Sequence, residues 1–163
     1  MAKGRIRFLG RAALLFAAYF IAGRLGLLLD AVAGFATLVW PPTGISLAAL
    51  VLFGEELWPA VALAAFAVNL AAGAPVLVAC GIGAGNTLEA LAGARLLRMA
   101  AFEPALERVR DVAALVILGA LVSTLLSAVL GVGSLRLGGV IGAPAVLPAA
   151  RAWWVGDVLG DLV

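Results

Sequence analysis

Residues 111–132 read DVAALVILGALVSTLLSAVLGV, and after Asp111 no charged side chain appears until Arg136. About 20 consecutive apolar residues let an α-helix cross the roughly 30 Å hydrocarbon layer of a bilayer. This stretch has that length and lacks charge, and in lipid its backbone N–H and C=O groups can be satisfied only by pairing internally. It reads as a membrane span. The rest of the sequence agrees: of 163 residues, 65% are hydrophobic and 12% charged, with a mean hydropathy of +1.19. Soluble domains carry about 45–50% apolar and about 25% charged residues. A water-facing surface needs charge that this chain lacks, so it is not by itself a soluble enzyme.

Working outward, turn signals divide the remaining chain. A basic head with Lys3, Arg5, Arg7 and Arg11 precedes an apolar run at 12–29. A cleaved signal peptide has this outline, but Tyr19, Phe20 and Ile21 carry the run past a typical cleavage point, and a retained span is the better reading. A second segment, 31–53, contains Trp40-Pro41-Pro42-Thr43-Gly44, where consecutive prolines remove backbone donors and make a continuous helix untenable. Further spans are expected at 58–73, opened by Trp58-Pro59, and at 76–97, after Gly73-Ala74-Pro75. Between 133 and 152, Gly138, Gly139, Gly142, Pro144 and Pro148 interrupt the pattern, so a loop or interfacial segment is expected. A last apolar stretch, 153–163, is about 16 Å long as a helix. The expected fold is an all-α, polytopic transmembrane bundle, a single domain over 1–163, with five complete spans and a sixth cut short.

Lys and Arg placement sets the orientation. A basic N-terminus in the cytoplasm puts Asp30 outside, 54–57 inside, 73–75 outside, 98–110 inside and 133–152 outside. Arg95, Arg98, Arg108 and Arg110 then fall on the inner side, against Arg136 and Arg151 on the outer. Trp58 and the Trp153-Trp154 pair fall at expected boundaries, where indoles favour the headgroup region.

The chain has no histidine and one cysteine, so His-ligated metals, histidine general bases and internal disulfides are excluded within it. Cys80 lies in a run of small apolar residues and reads as inert. Gly81-Ile82-Gly83-Ala84-Gly85-Asn86 has no preceding strand and no following Lys-Ser/Thr, so it is not a phosphate loop. No catalytic set, metal cluster, cofactor motif or nucleic-acid partner is expected. Ionisable and polar residues inside spans are costly and mark candidate sites. They are Arg24, Asn69, Asn86, Glu89, Asp157 and Asp161, with Trp40 at the break in the second segment. Asn86 and Glu89 are three apart, and Asp157 and Asp161 four apart, so each pair shares a helix face. Two readings stand open: a polar pocket facing outward that takes a small solute or protons, and a structural ion pair of Arg24 with Asp157 or Glu89. Asp157 and Asp161 would repel if both were ionised, so at least one needs a cation or a proton. The break itself suits a ligand-facing backbone or a simple kink. Gly119, Ser123, Ser127 and Gly131 recur every four residues, a spacing that lets helices approach closely and permits a homodimer.

Seven motifs in order resemble one family. They are Tyr19-Phe20 with Gly23 and Leu25-Gly26-Leu27, Val39 through Ile45, Gly54 through Pro59, Val68-Asn69-Leu70, Gly85 through Ala90, Arg110-Asp111-Val112, and Trp153 through Gly160. Their order is similar to that of the membrane-associated sensor domain family, type one. The resemblance implies an N-terminal, multi-span input module of the bacterial plasma membrane, followed by a histidine kinase or a diguanylate cyclase. That family's domain is longer, with about eight spans, so the chain is expected to cover roughly its first two thirds. Asp161 departs from the family pattern, which has an apolar residue there. Neither ligand nor binding residues carry over. A small-solute transporter or substrate-capture subunit is the alternative, since broken segments and intramembrane charges suit it equally.

Overall fold

A computed structural model describes residues 2–28 and 34–163, and among these there are six α-helices and no strand. They are α1 (Ala2–Gly26), α2 (Pro41–Phe53), α3 (Trp58–Ala71), α4 (Val76–Met99), α5 (Val109–Leu137) and α6 (Val146–Leu162). Three stretches are long and apolar enough to cross a membrane: Gly4–Gly26, Val76–Met99 and Val109–Leu137. The turn at Asp30 and the start of the expected 31–53 span lie outside the described residues.

The turn chemistry explains the boundaries. α2 begins at Pro41 because the first helical positions have no intrahelical acceptor for the missing proline N–H. Trp40, preceding a proline, stays extended at φ −119° and ψ 80°. The break is therefore the start of a helix of 13 residues, about 20 Å long. α3 likewise carries Pro59 in its first turn. Gly54 and Gly73 take φ values of +113° and +93° in the tight turns before and after it, where a side chain would be strained.

Two expectations need correction. Residues 133–152 are a loop only in part: α5 continues to Leu137 and α6 starts at Val146, not at Trp153, which leaves 138–145 as the connection. Pro148 does not prevent this, because it falls in the first turn of α6, where its N–H would be unpaired anyway. α6 is thus 17 residues and about 25 Å long. The count of five full spans and a truncated sixth is not what the helices show, since α2 and α3 are also short.

The helices form a closed ring. α1 packs on α2 and α3, α3 on α4, α4 on α5, α5 on α6, and α6 on α2, while α2 and α4 touch across the middle. Two apolar clusters fill it end to end. One gathers Leu15, Tyr19, Leu50, Leu57, Val61 and Leu97, and the other Ala36, Val78, Ile82, Leu135, Ile141 and Trp153. At one end, Glu55 accepts from Arg95 Nε and faces Arg98 Nη1, both at 3.0 Å, tying the α2–α3 turn to the end of α4. These arginines are two-thirds exposed, so Glu55→Gln is expected to cost less than about 1 kcal/mol in a thermal melt.

The connector at 100–108 closes on Asp111. Arg108 Nε and Nη2 donate to its two oxygens at 2.5 and 3.0 Å, and the Glu103 N–H donates to Oδ1 at 3.2 Å. Hydrogen bonding to Asp111 lifts the Arg108 guanidinium still further above its ordinary range. The clip holds a backbone in which Ala101 and Leu106 have positive φ. Asp111→Ala is expected to speed limited proteolysis within the connector while leaving α5 helical by circular dichroism.

Inside α5, residues 115–122 form a π-helical stretch, with Ser123 N–H donating to Leu118 O at 3.3 Å. Ser123 and Thr124 hydroxyls donate to the carbonyls of Gly119 and Ala120, four residues back, an arrangement that bends helices rather than reinforcing them.

Candidate functional site

All six helices contribute buried polar or indole side chains to one region. α1 brings Tyr19, the start of α2 brings Trp40 and Thr43, α3 Asn69, α4 Asn86 and Glu89, α5 Ser127, and α6 Trp153 and Asp157. Each has 7% exposure or less. Close approach of α6 makes the region possible. A Cβ on Gly156 would collide with the Thr37 carbonyl oxygen, and one on Gly160 with the Trp40 carbonyl oxygen. The extended lead-in to α2 thus lies directly on α6, with Trp40 N–H donating to Gly156 O at 2.9 Å. In this way the protein satisfies part of a non-helical backbone that lipid could not.

The polar groups form one connected chain. Asn86 Nδ2 donates to the Tyr19 hydroxyl at 2.8 Å. Ser127 Oγ stands 2.9 Å from Asn86 Oδ1 and 2.8 Å from Asp157 Oδ2, and accepts from Trp153 Nε1 at 2.8 Å. Thr43 Oγ1 donates to Asp157 Oδ1 at 3.1 Å. A serine hydroxyl has one proton to give, yet Ser127 faces two acceptor atoms. The network closes in two ways: the Asn86 amide turned end for end, with Tyr19 donating to it, or a proton held between Asp157 and Ser127. Ser127 is the hub in both.

Two further carboxyls flank the chain. Glu89 Oε1 is buried and unpaired, and both oxygens of Asp161 are shielded with no hydrogen-bond partner. Among the described residues, no Lys or Arg comes within 4.0 Å of Glu89, Asp157 or Asp161. The structure therefore does not form the ion pair of Arg24 with Asp157 or Glu89. Arg24 sits exposed in the last turn of α1, outside the cluster. Asp161 also stands apart, lining an apolar hollow with Leu47, Leu97, Phe102 and Leu115. Trp40, Asn69, Asn86 and Asp157 converge and, with Phe35 and Trp153, line a small cavity of about 10 Å³, whereas Glu89 is buried beside them without lining it. Asn69 is anchored by Nδ2 donating to Ala65 O at 2.9 Å.

Sequence reasoning missed Tyr19, Thr43, Ser127 and Trp153 as parts of the site. Ser127 belongs to the four-residue stripe read as packing, and the stripe does pack. Gly119 faces Leu47 and Leu97, while Gly131 lies under the Trp153 ring. Trp153 is buried inside the bundle at 5% exposure, whereas Trp58 is 47% exposed.

A family model, MASE1, matches residues 11–163. Comparisons with curated proteins and with solved structures give no match.

Proposed function

The chain belongs to the MASE1 family of membrane-associated sensor domains, and on that premise we propose that it is the multi-pass input module of a bacterial signalling protein in the plasma membrane. Its N-terminus is cytoplasmic, and it drives a histidine kinase or a diguanylate cyclase output domain. The observation that carries this reading is the single buried network joining α1, α2, α4, α5 and α6 through Tyr19, Asn86, Ser127, Asp157 and Thr43. Because its members share partners, moving one helix forces the others to re-pair. That is the property of a two-state packing element whose balance a stimulus shifts. The shared end of the α2–α3 turn and the α4 terminus, tied through Glu55, supports an inner face rich in arginine. Transport of a small organic solute is less well supported, since the cavity beside the network has room for little more than a water-sized body.

The test is Glu89→Gln with Asp157→Asn in the intact signalling protein, in cells. Basal output, read as kinase autophosphorylation or cyclic dinucleotide level, is expected to shift by about fivefold or more, the scale of typical coupling energies. Membrane insertion should persist. A well-inserted double variant with unchanged output at rest and under stimulation would sink the reading. Uptake of a solute into vesicles by the purified protein would favour the transporter.

A further inference from the structure

The face between α5 and α6 carries a groove that the sensor network does not use. It has a volume of about 600 Å³ and is lined by Leu125, Val129, Val132, Val146 and Trp154 and bordered by Arg136 and Arg151. Its floor is set by small residues. A Cβ on Gly133 would meet nothing within 4 Å, and Ala128 and Ala150 complete the recess. Both arginines are exposed. Among the described residues neither has a carboxylate within 4.0 Å.

We infer that this groove holds an anionic phospholipid, its phosphate on Arg136 and Arg151 and an acyl chain lying along α5. Two properties select that occupant. The first is length: Leu125 to Leu137 spans 12 residues of rise, about 18 Å, close to half of the roughly 30 Å hydrocarbon layer. That suits the chain of a lipid in one leaflet, whereas a packed transmembrane helix needs a track of the full thickness. The second is charge. The cationic end is formed by two guanidiniums, whose planar donors match phosphate oxygens bidentately, and the remaining lining is apolar. Arg136 occupies the last turn of α5 and Arg151 the second turn of α6, so both stand near the end of the groove where the two helices are joined.

The test is native mass spectrometry of the purified protein titrated with phosphatidylglycerol and, separately, phosphatidylcholine of the same chains. Phosphatidylglycerol is expected to bind about tenfold more tightly, a preference of about 1.4 kcal/mol. Arg136→Gln with Arg151→Gln should abolish the preference, while Arg5→Gln with Arg7→Gln, at the far N-terminus, should leave it intact. Gly133→Leu, which fills the recess without touching charge, should weaken both lipids. Equal binding of the two lipids, or a preference that survives the Arg136/Arg151 double variant, would overturn the proposal. A dimer that phosphatidylglycerol does not dissociate and Gly133→Leu does would assign the groove to a second copy instead.

Discussion

Gly156→Ala and Gly160→Ala are each expected to destabilise the domain by about 3 kcal/mol or more, at the top of the range for overpacking. The sign is the informative part. In an unobstructed helix, replacing glycine by alanine stabilises by about 0.5–1 kcal/mol, because glycine loses the most backbone freedom on folding. At these two positions the new methyl meets a main-chain carbonyl, of Thr37 or of Trp40, rather than a side-chain end that can swing away. Relief requires the lead-in to α2 to lift off α6, which breaks the bond from Trp40 N–H to Gly156 O and draws Thr43 from Asp157. Gly133→Ala and Gly10→Ala provide the contrast, since nothing lies within 4 Å of either added methyl. Unfolding in mixed micelles, followed by the fluorescence of the four tryptophans, should separate the pairs. If Gly156→Ala proves as stable as the unaltered protein, the contact of α2 lead-in on α6 is wrong.

The second large effect is expected at Ser127. Replacing it with alanine leaves the Trp153 indole N–H without its acceptor and strips a partner from Asn86 and from Asp157, all at 5% exposure or less. A buried polar group left unpaired costs about 1–3 kcal/mol, so a loss of about 3 kcal/mol or more is expected from one oxygen atom. Ser123→Ala, four residues earlier on the same stripe, removes a hydroxyl that bonds only within its own helix. Its cost should stay below about 1 kcal/mol, because that bond competes with rather than supports the helix. Trp153 emission should change in the first variant and not in the second. Equal melting temperatures for the two would mean that the network is a set of independent contacts and does not act as a unit.

Composition and charge disclosed the helical membrane fold, and the prolines at 41 and 42 disclosed the interruption before Thr43. The start of α6 stayed hidden because proline has opposite meanings in the first turn of a helix and in its interior, and nothing in the sequence distinguishes these at Pro148. Ser127 stayed hidden for a similar reason. Small residues every fourth position describe a helix face that packs closely, whether or not one of them also carries a hydrogen bond. The two indoles at 153 and 154 illustrate a limit of composition at boundaries. Neighbours on a helix point about 100° apart, and Trp153 turns inward while Trp154 stays only partly buried. Arg24 misled in the other direction. α1 is apolar along most of its sides, so no periodicity marked which face meets the bundle, and depth alone suggested a partner that the packing does not supply.

The placement of the α2 lead-in against α6 has a bearing on biosynthesis. A ribosome makes Thr43 well before Asp157, its partner 114 residues downstream. Until α6 emerges, the Trp40 N–H lacks the acceptor it finds on Gly156, and hydrocarbon would offer none. On the proposed multi-pass reading, the lead-in waits in water or inside the insertion machinery until α6 has been made. On that reading, insertion and folding of α2 are separate events, and the last helix to arrive is the one that allows the second to settle.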